Sequence, residues 1–136
     1  MDRLFLDANV LFSAAYKIDA RILQLWKIRN VTLCSSHYAL QEARTNLAEQ
    51  AQWTRLTSLS ASLQLFEARQ ISIPHGTLLP AKDVPILLAA IEARATHLLT
   101  GDIRHFGAYF GKKTEGIVVT RPGAYLRNRK PERRPR

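Results

Sequence analysis

The chain has 136 residues, 46% of them apolar and 23% charged, enough for one hydrophobic core. Cys34 is the only cysteine, which excludes an intramolecular disulfide and a thiolate zinc site, and no stretch approaches the roughly 20 apolar residues of a membrane span or forms the apolar core of a signal peptide. A reducing, cytoplasmic setting with no membrane partner is expected, and the net charge of +9 favours polyanions, above all nucleic acid.

From the N-terminus, Leu4-Phe5-Leu6 is an apolar run of strand length. Val10, Leu11, Ala14 and Ala15 recur behind it at helical spacing, so a strand runs into a helix at Asp7. Asp19 suits the N-cap of a second helix with Ile22, Leu23 and Trp26 on one face. Val31-Thr32-Leu33-Cys34 is a second β-favouring run. Ser35 or Ser36 can cap the helix after it, in which Leu40, Ala43 and Leu47 make a buried stripe with Glu42 on its flank. Trp53, Leu56, Leu59, Leu63 and Phe66 recur in three- and four-residue steps, which predicts a long amphipathic helix over 51–70. Ile71-Ser72-Ile73 is a weak third strand, and Pro74, Gly76 and Pro80 break the chain into a loop that ends at Lys82-Asp83. Ile86, Leu87, Ala90 and Ile91 form the next helix. A fourth strand at His97 to Thr100, a fifth at Gly116 to Val119, and a short turn or helix near Pro122 to Leu126 follow.

Strands alternating with helices imply a parallel sheet covered on both faces, because parallel neighbours need a crossover element between them; the class is α/β. One domain is expected over 1–126. Residues 127–136 carry six basic residues against Glu132, +5 of the net +9, and no apolar residue. Such a tail cannot offset its own ordering entropy and is expected to be disordered, with its charges free to meet phosphates or a partner. Neither Gly-x-Gly-x-x-Gly nor Gly-x-x-x-x-Gly-Lys-Ser/Thr is present, and Gly-x-Ser-x-Gly is missing too.

Four acids stand out: Asp7 at the end of the first strand, Glu42 inside a helix, Asp83 before the Ile86 helix, and Asp102 after Leu98-Leu99-Thr100-Gly101. Taken singly, each aspartate reads as a helix cap. Capping does not cover Glu42, and four carboxylates brought together repel one another unless positive charge intervenes. Hard oxygen donors suit Mg²⁺ or Mn²⁺, so the four are expected to converge on one cation site. Thr100 can fix a carboxylate through its hydroxyl and Asn9 can donate to the site, although such residues more often satisfy local backbone. The spread histidines show no paired helical spacing, and Arg104 and His105 read better as an exposed turn than as phosphate ligands. Tyr16, Tyr38, Tyr109 and Phe110 are aromatics that can stack on bases or fill the core.

The Leu6-Asp7-Ala8-Asn9-Val10-Leu11 opening, Ser36 with Glu42, Asp83 ahead of Ile86-Leu87-Leu88-Ala89-Ala90, and Leu98-Leu99-Thr100-Gly101-Asp102 together resemble the PIN domains, small metal-dependent ribonucleases that include VapC-type toxins of toxin–antitoxin pairs. The resemblance covers nearly all of 3–126. It implies a three-layer fold with a central five-stranded parallel sheet, in which the first and fourth strands are neighbours and Asp7 meets Asp102. It further implies RNA hydrolysis with Asp7, Glu42, Asp83 and Asp102 as the Mg²⁺- or Mn²⁺-binding catalytic set, a homodimer, and a cognate antitoxin. Ile22, Leu25, Trp26 and Ile28 crowd more than one face of a short helix, which suits such an interface. Two alternatives are a receiver-like Mg²⁺-binding phosphoacceptor domain, which would need an Asp ending the third strand, and a PIN-like module that binds RNA or protein without chemistry.

Overall fold

The computed structural model describes residues 1–67, 83–102, 106, 109 and 113–129. The chain opens with strand β1 (Asp2–Leu6) and helix α1 (Ala8–Tyr16), followed by a 3-10 helix (Arg21–Lys27), β2 (Val31–Ser35), α2 (His37–Asn46), α3 (Gln50–Ser60) and β3 (Gln64–Leu65). The second half contributes α4 (Val84–Glu92), β4 (His97–Leu99), a hairpin of β5 (Lys113–Thr114) and β6 (Ile117–Thr120), and α5 (Pro122–Asn128).

Among the described residues the sheet order is β3-β2-β1-β4-β6-β5. The first five of these strands run parallel, and β5 adds to the edge antiparallel. The fold is the α/β class expected, with its five parallel strands. Consecutive strand residues point to opposite faces, and Leu4, Phe5 and Leu6 are each 0% exposed, so both faces of β1 are covered. That makes three layers. The sheet turns at β1: the chain winds outward through β2 and β3 on one side, then returns to pair β4 with β1 on the other. Strand ends at such a switch point splay apart and leave a crevice at their carboxyl ends.

Two expectations need correction. The helix expected over 51–70 stops at Ser60, where serine hydroxyls turn back on the backbone: Ser60 Oγ donates to Thr57 O at 2.9 Å and Ser62 Oγ to Leu59 O at 3.1 Å. Leu63 and Phe66 keep the apolar phase, but they flank β3, and Phe66 N donates to Ser35 O at 2.9 Å. The strand beside β2 is therefore Gln64–Leu65, and Ile71 to Ile73 lie outside the described residues. Asp19 caps nothing: the short helix at 21–27 is of 3-10 type, with Ala20 at its N-cap and no side-chain cap. Its Leu25 is fully buried, while Ile22, Trp26 and Ile28 pack partly against the core, and Trp26 Nε1 donates to Leu59 O at 3.1 Å.

Ser36 caps α2 by accepting from Ala39 N at 3.1 Å, and Ala39 with Ala43 forms its buried face. The β5–β6 hairpin turns on Glu115 and Gly116, both at positive φ (53° and 80°), the two-residue turn whose twist matches paired strands. Helix α5 takes in Arg127 and Asn128, the first residues of the segment expected to be disordered; 130–136 lie outside the described residues. No described helix is long and apolar enough to cross a membrane.

Candidate active site

Backbone pairing sets the site. Leu6 pairs with Leu99, and Asp7 N donates to Leu99 O at 3.1 Å, so the carboxyl ends of β1 and β4 are held side by side. Ser35 Oγ, donating to Leu6 O at 2.8 Å, ties the end of β2 to the same edge. The residues following these strands have no choice but to meet. Asp7, Glu42, Asp83 and Asp102 line one open cleft of about 450 Å³, along with Asn9 and Asn46. The structure thus brings the four sequence-derived acids to one place, from the ends of β1 and β4, the middle of α2 and the start of α4. Among the described residues no three Asp, Glu, His or Cys side chains are grouped tightly enough to enclose an ion as they stand. The four share a cleft, not a closed ligand shell.

Asp7 is only 3% exposed and its carboxylate is fully engaged. Oδ1 accepts from Ala8 N at 2.7 Å, so the capping reading holds for this residue. Oδ2 accepts from Thr100 Oγ1 at 2.7 Å and from Asn9 Nδ2 at 3.1 Å. Thr100 Oγ1 in turn accepts from Asn9 Nδ2 at 3.2 Å and Asp102 N at 3.1 Å, and Asn9 Oδ1 accepts from Gly101 N at 2.9 Å. Asn9 and Thr100 thereby aim Asp7 and fix the chain at Asp102, a role their sequence positions only allowed. Asp83, 7% exposed, occupies the N-cap position of α4 without a side-chain capping bond. Helix capping does not account for its burial.

Burial, above all, pushes the Asp7 carboxyl up to about 6; the Thr100 and Ala8 hydrogen bonds pull it down, and the charges of Asp83 and Glu42 push it up again. A divalent cation among these oxygens would turn that repulsion into attraction, so the donor set fits a hard metal ion such as Mg²⁺ or Mn²⁺.

Tyr38, which the sequence offers as a stacking or core aromatic, packs partly against the core and makes a further contact. It stands four residues before Glu42 on α2, hydrogen-bonds the Glu42 side chain, and has its pKa raised by burial first and then by Glu42, Asp83 and Asp7. The signal was the i,i+4 spacing, which puts both side chains on one helix face. Of the histidines, His37 pairs with Glu67 and His97 packs against Tyr125. His75, His105, Arg104, Lys82 and Phe110 lie outside the described residues.

The PIN domain family matches this chain over residues 3–104. Among solved structures, the chain is similar to one from the crystal structure of VapBC2 from Rickettsia felis bound to a DNA fragment from their promoter. The TM-score is 0.59 at 17% identity, over 88% of this chain and 98% of that one. No curated protein matches the chain by sequence.

Proposed function

The chain belongs to the PIN domain family, and from that membership we propose that it is a metal-dependent endoribonuclease that hydrolyses RNA phosphodiester bonds. The observation that carries this reading is the meeting of Asp7, Glu42, Asp83 and Asp102 in one cleft at the switch point of the sheet. Asp7 and Asp102 would hold Mg²⁺ or Mn²⁺ directly, with Glu42 and Asp83 completing the set. When bound, such an ion would lower the pKa of a water and neutralise charge developing on the phosphoryl oxygens.

The chain's own groups supply the rest. Thr100, Asn9 and the Ala8 N–H hold the Asp7 carboxylate in one orientation, so no reorganisation is needed when a cation and substrate arrive. Tyr38, kept neutral, donates to Glu42 and orients it. The reaction adds water across a phosphodiester: an O–P bond forms, the bond to the leaving oxygen breaks, and that oxygen takes up a proton. A receiver-like function is disfavoured by the strand order, since β1 lies between β2 and β4 instead of between β2 and β3, and by the absence of an Asp in β3.

Within the family the reading extends to a toxin of a toxin–antitoxin pair, cytoplasmic, acting as a homodimer with an antitoxin; the similarity to the VapBC2 structure supports the antitoxin partner. The decisive experiment is cleavage of single-stranded RNA by the full-length protein with Mg²⁺ or Mn²⁺. Activity should vanish with EDTA and with Asp7→Asn; activity indifferent to both would reject the proposal.

A further inference from the structure

Beside the acidic cleft lies a second concavity of about 410 Å³, between α1, the 3-10 helix and α5. Arg21, Arg121 and Arg127 line it, and among the described residues no acidic one does. They come from three separate places: the start of the 3-10 helix, the residue before α5, and the last turn of α5. A Cβ on Gly123 would stand 3.3 Å from Arg127 Nη1, so glycine lets that guanidinium lie close to the backbone. Asn9 lines both clefts. Its bonds to Asp7, Thr100 and Gly101 make it a fixed partition between carboxylates on one side and arginines on the other.

We propose that the arginine cleft is a phosphate subsite, which takes a phosphate of the same RNA strand whose scissile phosphodiester lies in the acidic cleft. The identity of the polymer rests on the ribonuclease reading above. A strand with a charge on every linkage is repelled by four carboxylates, and a neighbouring cationic cleft supplies the compensating attraction. Guanidinium forks match phosphate oxygens two at a time, which makes arginine better suited than lysine to such a place. Phosphate contacts carry no base information, so the subsite sets register and affinity and leaves target choice to other residues. An acidic segment of a protein partner is the rival occupant; the wall shared with the acid cluster favours the substrate.

The test uses the full-length chain carrying Asp7→Asn, without divalent ions, binding a single-stranded RNA oligonucleotide across a salt series. Each phosphate contact on a single strand contributes roughly 0.7 to the slope of log affinity against log salt. Arg21→Gln with Arg127→Gln should lower the slope by about 0.7 and weaken binding roughly fivefold at ~0.1 M salt. Arg127→Gln alone should lower it by part of that amount and serves if the double variant does not fold. An unchanged slope in a folded variant overturns the proposal. So does a variant that keeps its RNA affinity but loses binding to polyglutamate, which would assign the cleft to a protein partner. The two readings fail separately. Cleavage of RNA by the parent chain with an unchanged slope in the variants sinks only the subsite; the expected slope change without cleavage in Mg²⁺ or Mn²⁺ sinks only the ribonuclease.

Discussion

Strand β1 has an aspartate at each end, Asp2 as its first residue and Asp7 just past its last, and the fold treats them in opposite ways. At the amino edge of the sheet, Asp2 Oδ2 accepts from the Tyr125 hydroxyl at 2.6 Å, and His97 packs edge-on against the same ring, centroids 5.0 Å apart. Burial, then the bond and charge of Asp2, push Tyr125 up to about 12, while burial pushes His97 down. An acid there meets a neutral donor and pins α5 to the sheet. At the carboxyl edge, Asp7 is buried facing other acids, with its carboxyl pushed up to about 6. One end of the strand contributes stability; the other holds a carboxyl disfavoured first by burial and then by neighbouring charge, at the place where a cation is proposed.

The largest expected effect is at Asp7. Its folded pKa of about 6 lies above the ordinary 3.8, so the advantage of the neutral form is complete below 3.8 and is lost as pH rises through about 6. Above that, ionised Asp7 costs the metal-free fold roughly 3 kcal/mol. Asp7→Asn should therefore be more stable than the parent in urea at pH 8 with EDTA, with the gain fading by pH 4, and yet lose ~10³-fold in cleavage. A variant no more stable than the parent at pH 8 would break the contrast between the two edges. At the other end, Tyr125→Phe should cost about 1–2 kcal/mol in the same denaturation and leave cleavage alone.

Tyr38→Phe sharpens the comparison from the carboxyl edge. Removing its hydroxyl should leave denaturation midpoints in place but cut kcat by about fivefold with little change in KM, the loss of roughly one hydrogen bond that orients Glu42. A fall in stability with unchanged kcat would make Tyr38 a packing residue. The smallest effect is expected at Arg94, which follows α4 with φ at 54° on the amino side of β4. Arg94→Gly should stabilise by about 0.5 kcal/mol, read from a thermal midpoint, with cleavage unaltered.

Much of this was readable from the sequence because the parallel strands are short apolar runs and the acids stand directly after them. Leu4 to Leu6, His97 to Leu99 and the apolar helix after Asp83 state their structure plainly. The third strand did not, because Gln64–Leu65 is two residues long and its apolar neighbours Leu63 and Phe66 continue the period of α3. Lys113–Thr114 was equally silent, being two residues long, and the Glu115-Gly116 turn lacks the Asn-Gly or Asp-Gly pair that marks such a hairpin. The four acids were legible as types and positions. The partition at Asn9, the Tyr38 contact and the arginine cleft were not, since each depends on which side chains from distant segments come to face one another.

Pairing of β1 with β4 also determines when the cleft can exist. Asp7 and Thr100 bond across 93 positions of sequence. Contacts that distant form late, because a long loop must close before they return any energy. A growing chain carries Asp7, Glu42 and Asp83 well before β4 arrives to flank β1; pairing of β1 with β2 can draw Asp7 toward the helix of Glu42, but the wall on the other side of β1 is still missing. A ribosome-bound fragment that stops short of β4 therefore holds three of the four acids without the complete crevice, so assembly itself withholds the site until the fourth strand is in place.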